Sequence, residues 1–171
     1  DESLKNNICG TDEATISNAN GPKWGTRSFK NGKMEMRKYR LALACTGEWG
    51  ERRGTKEAAL AEMATFIERA NIVFEAELAL RLVIINNNDL LIFLDGDNDQ
   101  YTNSDKGLEI VNQNSNVISQ IIGFDKYDIG HVFSICNDVG GVASGNICTP
   151  RKGAGVTCYN GTSISNGNIS T

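Results

Sequence analysis

The stretch YDIGHVFSICNDVGG, residues 127–141, holds the only histidine of the chain, His131, with Cys136 five residues on. A thiol and an imidazole are the pair that a cysteine hydrolase uses, the imidazole taking the thiol proton. The same side chains also ligate zinc. In an extended segment successive side chains alternate faces, so residues five apart point to opposite sides. No helix start is evident at Cys136 to lower its pKa. His131 therefore reads as a hydrogen-bonded core residue on an apolar strand, neither a base nor a metal ligand.

A second candidate is the acidic loop DGDNDQYTNSDKG, with Asp95, Asp97 and Asp99 at alternate positions. This is how an EF-hand loop begins. Its sixth position is Gln100 where glycine is needed, and its twelfth is Lys106 where a bidentate glutamate is needed. The loop reads as solvated, with a calcium site of another kind left open. There is no G-x-S-x-G, Walker loop or complete G-x-G-x-x-G. The five cysteines, Cys9, Cys45, Cys136, Cys148 and Cys158, include no C-x-x-C pair. Four of them can form two disulfides, leaving one over.

The bulk properties narrow the classes. With 171 residues the chain is long enough for one domain with a real core. A net charge of −4 and no basic stripe argue against a nucleic-acid partner. The most apolar run, LALRLVIINNNDLLIFL, is broken by Arg81, three asparagines and Asp89, so it does not read as a membrane span. A start at Asp1 without a leader reads as a mature secreted chain, and an excised piece would look the same. Asn160 and Asn168 stand in glycosylation sequons.

The elements that must position any site follow from periodicity. Residues 1–36 are polar and turn-rich and read as an extended arm, with a propeptide remnant as one reading. Residues 37–171 form one unit. KYRLALACTG reads as a buried strand ended by Gly47. Leu60, Met63, Ile67, Ala70, Phe74 and Leu78 recur at helical spacing across 55–78. ALRLVIIN is a second strand, and LLIFLD continues it or neighbours it. Leu108, Val111, Ile118 and Ile122 mark a second helix ending at Gly123. IGHVFSI is a third strand, GGVASGNIC an edge strand or loop, and GAGVTCYN a short last strand. Alternating strands and helices give an α/β fold with a mostly parallel sheet and two main helices. Leu43, Leu60, Ile67, Phe74, Val83 and Ile118 are the expected buried residues.

KWGTRSF, YRLALACTGEW, ALRLVIINNNDLLIF, YDIGHVFS and GGVASGNICTPRKGAGVT occur in this order. Together they resemble the N-terminal part of a reprolysin-like (adamalysin) zinc metallopeptidase of the metzincin clan, in its secreted bacterial form. The resemblance runs from about residue 23 to 157. It implies the upper subdomain of that fold, a twisted sheet with an antiparallel edge strand, backed by two helices. It also implies a protein or peptide substrate, no membrane, and zinc held by H-E-x-x-H-x-x-G-x-x-H on a helix expected to begin near Thr171. One histidine cannot make a three-histidine site, so the catalytic and zinc-binding residues are expected outside this sequence, in the C-terminal half of the catalytic domain.

By the same resemblance, Gly141, Val142, Ala143, Ser144 and Gly145 form the upper rim of the cleft. There an extended substrate adds as a strand through main-chain hydrogen bonds. Animal relatives hold a calcium ion partly through the position of Asp128 and a first-strand glutamate, where this chain has Leu41. Cys148 resembles the cysteine that bridges to the C-terminal half in animal relatives, which implies that it is unpaired in this sequence or pairs with Cys158 instead. Cys9-Gly10 resembles the propeptide Cys-Gly that blocks zinc in latent enzymes, beside the readings of a disulfide or a free thiol. The rival function is a non-enzymatic secreted binding or adhesion module on the same scaffold.

Overall fold

The apolar run around Leu43 becomes β3 (Arg37–Cys45), the second strand of a five-stranded sheet in the order β4-β3-β5-β7-β6. The computed structural model describes residues 29–30, 33–34, 36–147 and 149–159. β4 (Leu80–Ile84) and β5 (Ile129–Ser134) flank β3, both parallel to it. β7 (Gly155–Cys158) runs parallel to β5, and β6 (Gly141–Ala143) closes the order antiparallel to β7. The mixed α/β class, the parallel majority and the antiparallel edge are those expected from the sequence. Within the segment read as an irregular arm, β1 (Phe29–Lys30) and β2 (Lys33–Met34) pair antiparallel.

Residue alternation in β3 divides the core. Leu41, Leu43 and Cys45 pack with Ala59, Met63, Trp49 and Phe133 on one face. Ala42 and Ala44 pack with Val132, Val156, Ile110, Val111, Val117 and Ile118 on the other. The first face belongs to α2 (Lys56–Leu78), whose N-terminus Thr55 caps by accepting the Ala58 amide at 3.1 Å. The second belongs to α3 (Gly107–Ile121). A short helix, α1 (Gly47–Glu51), turns the chain out of β3. Burying a side chain as large as Ile118 contributes about 1.5–3 kcal/mol.

Of the six residues expected in the core, Leu43 and Ile118 are fully buried, and Leu60, Ile67 and Phe74 are half-buried. Val83 is 42% exposed, because β4 is an edge strand with one uncovered face. Leu78 and Leu108, placed on buried stripes by their spacing, are exposed as well. Leu78 ends its helix. Leu108 lies one residue, a turn of about 100°, from Gly107 on the buried stripe of α3. LLIFLD is not a strand. Asn88–Leu91 form a 3-10 turn, and only Ile92 bridges to Cys45. The Asn88 side chain replaces the missing strand: its amide accepts from Leu43 N and donates to Leu43 O, both at 2.8 Å.

Candidate substrate rim

The sheet has two edges, and on one of them a side chain takes up the outward main-chain groups of one residue, Leu82. On β4, Leu82 turns its main-chain N–H and C=O away from β3. Asn71 of α2 accepts from Leu82 N at 2.8 Å and donates to Leu82 O at 3.0 Å. A buried amide thus occupies the place a further strand would take, which is one way proteins blunt an edge. No such cap meets β6 among the described residues.

The open edge of β6 has a definite polarity. Cys158 N donates to Gly140 O at 3.0 Å, and Ser144 N donates to Ala154 O at 2.9 Å. Antiparallel ladders alternate, so Val142 and its register partner Val156 form the hydrogen-bonded pair between them. Gly141 and Ala143 consequently turn their N–H and C=O groups outward. Side chains alternate too. Val142 packs against the α3-side core. Gly141 and Ala143 face the opposite side with at most a methyl group, so a second backbone can approach closely.

Three devices hold this edge in place. The Cys136–Cys158 disulfide ties the loop after β5 to the end of β7, with Cα atoms 5.0 Å apart. Asp138, just before β6, accepts from Gly107 N at 2.8 Å and Leu108 N at 3.4 Å. The Gly107 amide in particular holds its carboxyl below the usual range. Past β6, a Cβ at Gly145 would lie 1.8 Å from Arg151 O, so only glycine lets the chain pass there. Lys152 is buried, and its ammonium donates to Phe124 O at 2.5 Å and Tyr127 O at 2.6 Å, fastening the turn after the rim to the loop before β5.

His131 lies in β5, hydrogen-bonded as the sequence reading has it but half-buried rather than fully in the core. Its Nε2 meets Thr157 Oγ1 at 2.8 Å, and its ring stands edge-on to Phe133. A Cβ at Gly155 would lie 2.7 Å from Nδ1, so glycine makes room for the ring. Burial lowers its pKa to about 4. Cys136 serves the disulfide, so the two residues never meet as nucleophile and base. The described residues contain no group of three His, Cys, Asp or Glu side chains placed to hold a metal. The three-histidine zinc site does not fit this chain, which has one histidine, bonded to Thr157.

Asp128 is buried, and Arg40 meets both its carboxylate oxygens. The guanidinium already supplies the positive charge that calcium would bring, and its removal would have to precede any calcium binding there. In the acidic loop, Asp95 accepts from Asp97 N and Asn98 Nδ2, and Asp99 from Gly47 N and Tyr101 N. These are turn and helix-start contacts, in keeping with the solvated-loop reading.

The pairing of Cys158 with Cys148 is overturned. Cys158 is bonded to Cys136, because β5 and β7 are neighbours in parallel register with Ser134 opposite Cys158. Cys45 is a buried free thiol. Cys9, Cys148, Asn160 and Asn168 lie outside the described residues. The reading from sequence missed Asn71, Asn88, Arg40 and Arg151. Only Asn71 carried a signal, as an amide four residues after Ile67 on the buried side of α2; Asn88 stands in a run of three asparagines before Asp89.

No helix among the described residues is long and apolar enough to cross a membrane. The family model of metallo-peptidase family M12B, reprolysin-like, matches residues 60–170. A comparison with curated proteins finds no match.

Proposed function

The chain belongs to the reprolysin-like metallo-peptidase family M12B, and from that premise we propose that it supplies the scaffold and substrate rim of a secreted zinc endopeptidase. Its substrate is a protein or peptide in extended form. Residues Gly141, Val142, Ala143, Ser144 and Gly145 receive it as an added strand. The observation that carries this reading is the contrast between the two edges. Asn71 caps β4, while β6 presents the main-chain groups of Gly141 and Ala143 beside nearly bare side chains. Zinc would be held by residues that this sequence does not contain and would supply an activated water there. Its ligands and the general base come from protein outside this sequence, and the 171-residue chain alone is inactive.

A non-enzymatic secreted binding or adhesion module on the same scaffold is the second reading, since a fold does not fix a function. Both readings keep the rim and differ in chemistry. The full-length gene product, purified from its host medium, decides between them by zinc content and hydrolysis of an unfolded protein substrate. One zinc per chain with hydrolysis supports the peptidase. Peptide binding with neither zinc nor hydrolysis supports the module.

A further inference from the structure

We propose that Arg151 selects an acidic side chain in the peptide bound along β6, an inference that rests on the rim reading above. Ser144 follows β6 and shares the face of Val142 by alternation, the side packed on α3. Arg151 reaches this face from the turn before β7. Its Nη2 donates to Ser144 Oγ at 2.7 Å and to Asn112 Oδ1 of α3 at 2.9 Å. These two neutral acceptors fix the guanidinium beside the end of the rim without neutralising it. Arg151 is exposed, and none of the ion pairs among the described residues includes it. Its Nε and Nη1 have no protein acceptor among those residues.

Arg40, Arg53 and Arg81 each hold a carboxylate. Arg37, Arg52 and Arg69, like Arg151, are in no ion pair among the described residues, so what sets Arg151 apart is its place beside Ser144 at the end of β6. An oriented cation with free donors, next to an open strand edge, is a built recognition point for a carboxylate. A peptide strand added to β6 turns alternate side chains toward α3. The one that passes Ser144 meets this guanidinium. Arg151 touches the substrate away from the scissile bond, so it acts on specificity rather than on the chemical step.

The test uses the 171-residue chain and blocked, extended heptapeptides with Glu, Gln or Lys scanned through the central positions, with binding read by fluorescence anisotropy at low salt. At one position Glu is expected to bind about five-fold tighter than Gln, and Lys more weakly than either. Arg151→Gln removes the preference and Arg151→Glu reverses it. Ala143→Pro weakens binding of all the peptides. If Glu and Gln peptides bind alike while Ala143→Pro weakens both, the rim stands and the role of Arg151 is overturned. If the charge preference survives in Ala143→Pro at full affinity, the acidic peptide does not lie on β6 and the placement fails. If no peptide binds, both readings fall.

Discussion

Arg40 and Asp128 join β3 to the start of β5 through main chain and side chain at once. Asp128 N donates to Arg40 O at 2.9 Å, and Arg40 N returns a bond to Asp128 Oδ2 at 2.8 Å. The guanidinium then closes on both oxygens, Nε to Oδ2 at 3.1 Å and Nη2 to Oδ1 at 2.7 Å. Eighty-eight positions separate the two residues in sequence.

This pairing sets an acid limit on stability. Burial by itself raises the Asp128 carboxyl, but the hydrogen bonds and charge of Arg40 outweigh it and hold the pKa below the ordinary value. A depressed carboxyl stabilises the fold above the unfolded pKa, and the contribution is lost as pH falls through the folded one. Asp128→Ala is expected to cost about 2 kcal/mol in urea unfolding at neutral pH, since it strands a main-chain donor and half-covered guanidinium. Millimolar calcium is expected to leave the melting temperature unchanged against a chelator control. A rise that depends on Asp128 would show that calcium displaces Arg40.

His131 gives a second, higher window. Its folded pKa of about 4 lies below the ordinary 6.5, so the unfolded chain binds more protons between these values. Stability present above pH 6.5 is therefore lost as pH falls toward 4, by roughly 2–3 kcal/mol. His131→Gln is expected to flatten this part of the profile, read by chemical denaturation at half-unit pH steps. Titration of the ring by NMR with a midpoint near 6.5 would show instead that it is solvated.

The disulfide encloses a sequence separation of 22 residues. Its reduction is expected to lower stability by about 3 kcal/mol, through freedom regained by the unfolded chain. Peptide mapping without reduction should recover Cys136 linked to Cys158. Cys45 should resist alkylation until the protein unfolds, because burial pushes its thiol up to about 12. Recovery of a Cys148–Cys158 peptide as the main species would contradict the fold.

Adjacent residues of the rim are expected to respond to proline in opposite ways. Ala143→Pro removes a donor that points outward and fixes φ, so the fold survives. On the peptidase reading, turnover of peptides by the full-length protein should fall while its zinc content stays intact. Val142→Pro removes a donor that bonds β7, and should lower the melting temperature instead. Equal destabilisation by both variants would mean that the alternation along β6 is wrong.

The order of strands and helices was legible in the sequence because periodicity is local. An amphipathic run of the length of α2 states its own conformation, and a parallel sheet follows from the crossovers between strands. That His131 and Cys136 do not form a catalytic pair was legible, although the reason differs from strand alternation: Cys136 lies past the end of β5 and is held in the disulfide with Cys158. The 90–95 run misled, because an apolar run does not reveal whether a neighbouring backbone is free to pair. Here Asn88 had already met Leu43. Which edge stays open, which cysteine Cys158 finds, and what Arg40 and Arg151 hold were decided only by tertiary structure. Each depends on the register of parallel strands joined across tens of residues, and no short window of sequence carries that register.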